Sequence, residues 1–294
     1  MFGLTFRNPW IAAVDAAGRR LPGFLALLLA LGALALGLLA GPKLYALSPL
    51  PGTDVVRLAV DRLIQYICIL GPLYLVALGV GGLYERRRAP SGGWPMGLAT
   101  GVGLATGAGG FGAAIGLAAL LGTVAPGHGA NPAGWGMGVC LAALLTAFQA
   151  GGEELFFRGW LQPVLAARWG PAVGLAATSL LFGLAHIVGR PLSPLALIND
   201  TLAGALFGLL ALRSGRLWPA FAAHFGWNFA EQSIAGATPN PGRDALGSVF
   251  DVDLVGSRLL SGGTDEMNGA VEATIVLLAL VVVLMAWGPS RRAP

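Results

Sequence analysis

Apolar stretches long enough to cross a lipid bilayer recur along this chain, and they constrain its fold more than any other feature. Leu21 to Ala40 carries no charge at all, and a helix needs about 20 such residues to span the hydrocarbon core. A signal-peptide core is shorter, roughly 7–15 residues, so the run reads as a retained first span. Further spans are expected at Leu63–Leu83, Gly97–Leu121, Trp135–Val164, Pro171–Ile187, Leu195–Leu212, Leu217–Ile234 and Ala270–Trp287. Only 11% of the 294 residues are charged, against roughly 25% in soluble domains. The expected fold is therefore all-α, a polytopic membrane protein of about eight transmembrane helices.

The loops carry most of the charge. Arg19-Arg20, Arg86-Arg87-Arg88, Arg168, Arg213 with Arg216, and Arg291-Arg292 fall on one side of an eight-span topology. Basic residues mark the cytoplasmic side, so a multi-pass inner-membrane protein with both termini cytoplasmic is expected. The net charge of +4 is then a matter of topology. No basic face suited to nucleic acid is present. The excess of Arg over Lys fits a GC-rich bacterial genome. No internal repeat supports a transporter.

The chain divides into residues 1–134 (spans one to three), 135–234 (spans four to seven, a polar core), 235–269 (an extracytoplasmic loop) and 270–294 (the last span and a cytoplasmic tail). Span three carries Gly97/Gly101, Gly103/Gly107 and Gly112/Gly116, three small pairs that would let helix backbones approach. Cys68 and Cys140 lie in apolar runs without metal-ligand spacing and read as small core residues. His128 is a loop histidine without a role.

Charged groups at membrane depth cost several kcal/mol, from about 3 upward, so the few that occur within spans carry information. Span four contains Glu153, Glu154 and Arg158; span five contains His186; span seven contains His224, Asn228 and Glu231. Glu154 and Arg158 are i, i+4 and form a self-neutralising pair on one helix face. Glu153 points about 100° away, free to face a bundle interior. Phe182 and His186, and His224 and Asn228, are also i, i+4 pairs. Asn199 and Asp200 open span six, with Asp200 expected near the outer interface. Glu231 is expected in the last turn of span seven, near solvent. A carboxylate and an imidazole can hold and deprotonate one water. A second imidazole and a carboxamide can donate to an oxyanion. No Ser or Cys has a partner histidine near it in sequence, so direct hydrolysis of an amide in a membrane cavity is the expected chemistry.

Glu153-Glu154-x-x-x-Arg158, Phe182-x-x-x-His186 and His224-x-x-x-Asn228 resemble the three ordered motifs of the CPBP intramembrane proteases. This is the CAAX-protease and bacteriocin-processing (Abi) family, which includes the eukaryotic Ras-converting CAAX prenyl endopeptidase. The resemblance covers roughly Trp135 to Ile234. It implies a polar site among spans four, five and seven, with Glu153 and His186 activating water and His224 with Asn228 forming the oxyanion site. Glu154, Arg158 and Phe182 would support them. It implies a bilayer setting and a protein or peptide substrate, prenylated in the eukaryotic branch. Family members are often labelled metalloproteases. Glu153, His186 and His224 would be the zinc ligands, just enough for a catalytic site, but using them so would consume the water-activating base. A metal-independent reaction without a cofactor is the expectation and zinc the alternative. A non-catalytic scaffold or immunity protein, or a transporter, is the competing reading.

Overall fold

The computed structural model describes residues 11, 21–47, 50, 52–80, 94–127, 131–188, 191–237 and 246–287. His128 and the basic clusters at 19–20, 86–88 and 291–292 lie outside these residues. The described helices are α1 (Gly23–Tyr45), α2 (Val55–Val80), α3 (Met96–Leu120), α4 (Trp135–Trp169), α5 (Pro171–His186), α6 (Pro194–Ser214), α7 (Trp218–Phe229, continued by a π turn over Ala230–Ala235) and α8 (Val271–Ala286). Two short strands, β1 (Val124–Pro126) and β2 (Val252–Leu254), pair antiparallel with Val124 opposite Leu254. The protein is all-α in class, as the apolar runs require.

Six of the described rods are long and apolar enough to cross a membrane: α1, α2, α3, α4, α6 and the rod Gly263–Ala286 that ends in α8. The expected count of eight is thus not reached by length and composition. The two rods that fall short carry the site histidines. α5 has 16 residues, about 24 Å of helix. α7 is packed among α3, α4 and α6, so it needs no apolar outer face and can hold polar side chains. Conversely, α4 runs 35 residues, about 52 Å, well beyond the roughly 30 Å hydrocarbon thickness.

Two boundaries differ from the sequence expectation. α1 runs on to Tyr45 through a π turn over Leu36–Ala40, with Pro42 in the first turn of the segment that follows. α2 starts at Val55, eight residues before the expected Leu63, because Asp54 caps it by accepting from the Arg57 N–H at 3.0 Å. Asp61 then accepts from the Tyr45 hydroxyl at 2.5 Å and the Leu50 N–H at 3.2 Å. The charges at 54–62, taken for a loop, are the first two turns of a helix and its cap.

The exterior is apolar, as expected where lipid takes the place of water: Leu120 is 86% exposed and Leu75 75% exposed. Cys140, expected in the core, lies on this outer surface, and Cys68 is half-buried. An apolar side chain in a membrane gains little by turning inward, so hydrophobicity alone does not assign its direction.

The interior is held by close backbone approach. α3 packs most extensively against α7. At Gly103 an added Cβ would lie 2.5 Å from the Pro219 carbonyl oxygen, and at Gly107 it would collide with the Ala223 carbonyl. The other two pairs expected to mediate packing, Gly97/Gly101 and Gly112/Gly116, face no neighbour within 4 Å. Only one of the three pairs therefore makes an interface. At one end of the bundle, the Arg168 side chain donates to the Leu21 carbonyl, Arg213 donates to the Met285 carbonyl, and Trp94 N–H donates to the Ser214 carbonyl. At the opposite end, the strands and the 246–269 segment cover the bundle. There Val249 and Phe250 N–H groups donate to the Ser233 and Ile234 carbonyls, satisfying the open end of α7.

Gly107→Ala should lower stability by about 1–3 kcal/mol through overpacking, whereas Gly112→Ala should be neutral or slightly stabilising. Thermal unfolding of the purified protein in detergent distinguishes the two.

Candidate active site

The site is built where α4 stops being regular. From Leu155 to Leu161 the backbone forms a π turn, and every residue from Phe156 to Leu161 is buried. π segments inside α-helices are often found at functional sites. The irregularity begins after Glu154, and the helix is regular through Gly151-Gly152. Their role is different. The Tyr74 ring of α2 lies where a Gly152 side chain would be, with its Cε2 2.5 Å from an added Cβ, and its hydroxyl donates to the Phe148 carbonyl at 2.7 Å. Pro163, just after the π turn, has no N–H to close a regular turn onto Gly159, and the shifted ladder accommodates it.

Glu154 is fully buried and joins two partners. Arg158 Nη1 donates to its Oε1 at 2.8 Å, and His224 Nδ1 lies 2.9 Å from the same oxygen. Arg158 Nη2 donates to the Gly204 carbonyl of α6 at 2.7 Å. The guanidinium is flanked by the rings of Phe182 at 4.6 Å and Phe207 at 5.4 Å, an arrangement that favours a cation. The expected self-neutralising pair is present, and it is also a tether for α6 and α7. Phe207 stacks on the His224 imidazole, with centroids 4.8 Å apart and planes 12° apart.

Glu153 turns away from this network. Its Oε1 accepts from Gln149 Nε2 at 3.0 Å, and its Oε2 lies 3.7 Å from His186 Nε2. His186 Nδ1 is 2.7 Å from the Phe182 carbonyl. A carbonyl only accepts, so Nδ1 carries the hydrogen, and a neutral His186 presents its Nε2 lone pair to Glu153. Asn228 donates to Gln149 Oε1 over a long 3.4 Å. Gln149 therefore bridges Glu153 and Asn228. The sequence reading missed it, although its i, i+4 spacing to Glu153 was available. Phe207 was missed as well, because nothing local marks an aromatic residue that stacks across helices.

His186, His224, Asn228, Gln149 and Phe182 line one partly open cavity. Two expectations fail here. Asp200 and Glu231, assigned to the interface and to solvent, are buried and line this same cavity. The last turn of α7 is covered by the 246–269 segment, which the sequence had left as an unstructured loop. Asn199 does anchor: its side-chain amide donates to the Asn268 and Ala270 carbonyls, fixing the turn before α8. Among the described residues no three His, Cys, Asp or Glu side chains gather as a metal site requires. Of the three zinc candidates, Glu153 lies beside His186, and His224 Nδ1 lies against Glu154.

Residues 135–230 match the family described as type II CAAX prenyl endopeptidase Rce1-like. This segment of the chain resembles an Rce1-like domain. It runs from the start of α4 to the π turn of α7 and includes Glu153, Glu154, Arg158, Phe182, His186, His224 and Asn228. At the level of the family it is a CAAX-type intramembrane protease domain in a multi-pass membrane protein, with a bilayer setting and a peptide substrate. Neither the curated proteins nor the solved structures include one that matches the chain.

Removing one member of a buried ion pair typically costs 3–5 kcal/mol, because the other charge is left uncompensated. Arg158→Ala should therefore destabilise the Rce1-like domain by about that amount. Arg158→Ala with Glu154→Gln should recover part of the loss, as read from the thermal midpoints of the single and double variants.

Proposed function

We propose that the protein is an intramembrane endopeptidase that hydrolyses a peptide bond with a water activated by Glu153 and His186. The observation that carries this reading is the facing of Glu153 Oε2 and the Nε2 acceptor of a neutral His186, 3.7 Å apart, with His186 lining the cavity. With hydrogen bonds of about 2.8 Å to each, the two acceptors subtend roughly 80° at a shared water. That is close enough to the angle between a water's O–H bonds for both protons to be engaged. Both oxygen lone pairs stay uncommitted, and one can attack the substrate carbonyl carbon. As the C–O bond forms, the proton passes to the Glu153 carboxylate, and from there to the leaving amine nitrogen as the C–N bond breaks.

His224 and Asn228 are one helical turn apart on α7 and supply the oxyanion donors. The His224 Nδ1–H is committed to Glu154, so donation from Nε2 needs the doubly protonated ring. Glu154 Oε1 lies against Nδ1, and the Phe207 ring stacks on the imidazole. The long bond from Asn228 to Gln149 is weak enough for the amide to turn toward a developing oxyanion. C-terminal processing of the CAAX type is the substrate class suggested by the family match, and the proposed hydrolysis uses no metal. The basic helix ends at Arg168, Arg213 and Arg216, gathered at one end of the bundle, support an orientation with both termini in the cytoplasm.

Glu153→Ala and His186→Ala should each abolish cleavage of membrane-protein substrates while leaving the thermal midpoint close to that of wild type. Asn228→Ala should slow cleavage by about 10²–10³, the usual effect of losing one oxyanion donor. Full activity in Glu153→Ala would overturn the assignment and leave a scaffold role. Cleavage should also persist after dialysis against a chelator. Loss of activity that zinc restores would instead make Glu153, His186 and His224 metal ligands.

A further inference from the structure

Glu231 is an acid that the proposed hydrolysis does not use. It is 2% exposed, its Oε1 is buried without a hydrogen-bond partner, and it lines the same cavity as His186 and Asn228. Asp200 lines that cavity from α6, within electrostatic reach of both Glu231 and His186. None of the described residues lining the cavity is Lys or Arg. A buried carboxylate that no cation contacts costs several kcal/mol, and a bound cation offsets that cost.

We propose that Glu231 and Asp200 form a substrate subsite for a cationic side chain, a Lys or Arg of the bound peptide, close to the scissile bond. Glu231 is i+3 from Asn228 on α7, so its carboxylate starts about 4.5 Å along the helix from the oxyanion donor. One residue of extended peptide covers about 3.3–3.6 Å, which puts the cationic residue within one or two positions of the cleaved bond. The Asn268 and Gln232 side-chain oxygens at this end can accept from the same ammonium or guanidinium. The acidic end also disfavours a carboxylate, so a peptide C-terminus would point away from it. The proposal rests on the peptidase reading for the identity of the ligand, but its test does not require turnover.

The probes are three fluorescein-labelled leucine–alanine peptides identical but for one central residue: Lys, norleucine or Glu. They are titrated by fluorescence polarisation against full-length protein carrying Glu153→Ala in nanodiscs, with binding to empty nanodiscs subtracted. The Lys peptide should bind at least tenfold more tightly than the norleucine peptide. Glu231→Gln should bring that ratio close to one, and Glu231→Lys should turn the preference toward the Glu peptide. A general packing defect would weaken all three peptides alike and leave the ratio unchanged. Equal binding of Lys and norleucine peptides, or a ratio that Glu231→Gln does not alter, overturns the subsite. Absence of cleavage by the wild-type chain alongside a Glu231-dependent ratio would overturn the peptidase reading and keep the subsite.

Discussion

Glu154 is buried in the middle of the Rce1-like domain, and its Oε1 meets both Arg158 and His224. Three helices depend on that oxygen and its partners. Arg158 belongs to α4, it reaches the Gly204 carbonyl of α6 with its other amine, and His224 belongs to α7. A carboxylate in this position would be prohibitive alone, and a guanidinium likewise. Together, with Phe182 and Phe207 against the cation, they form a network whose members cannot be moved singly. The network orients the His224 ring, and it leaves Glu153, one residue earlier, against Gln149 and His186, which line the cavity.

The irregular backbone lies close to this network. One π turn begins directly after Glu154, and a second begins two residues after Asn228. Each shifts the helical ladder by one residue, so side chains before and after it point in directions a regular helix would not allow. The wide turns also leave backbone groups that need partners. At the end of α7 the open groups are the Ser233 and Ile234 carbonyls, which accept from the Val249 and Phe250 N–H groups. The loop that supplies them covers Glu231 and so helps convert a helix end into the wall of a cavity.

Close helix contact sets the remaining geometry. Gly103 and Gly107 bring α3 against the backbone of α7, while Gly152 admits the Tyr74 ring beside α4. Small residues at these points hold the polar helix α7 inside the bundle, where His224 and Asn228 are sheltered from lipid. The same packing explains why α7 falls short of the apolarity expected of a membrane span. It is shielded by its neighbours and does not have to be uniformly hydrophobic.

Sequence was sufficient for whatever depends on local spacing or on the energetics of lipid. The apolar runs required a helical membrane protein. The rarity of charge within them singled out Glu153, Glu154, Arg158, His186 and His224, and i, i+4 spacing paired Glu154 with Arg158. Tertiary structure decided what depends on which faces meet. His224 joins Glu154, Gln149 links Glu153 to Asn228, and Asp200 and Glu231 turn into the cavity although their positions near helix ends suggested an interface. Only one of three glycine pairs makes a contact, and Cys140 faces outward. The physical reason is common to all of these. In a chain whose exterior is as apolar as its core, hydrophobic pattern fixes the helices but not their rotation, so the direction of each polar side chain is set by packing between helices.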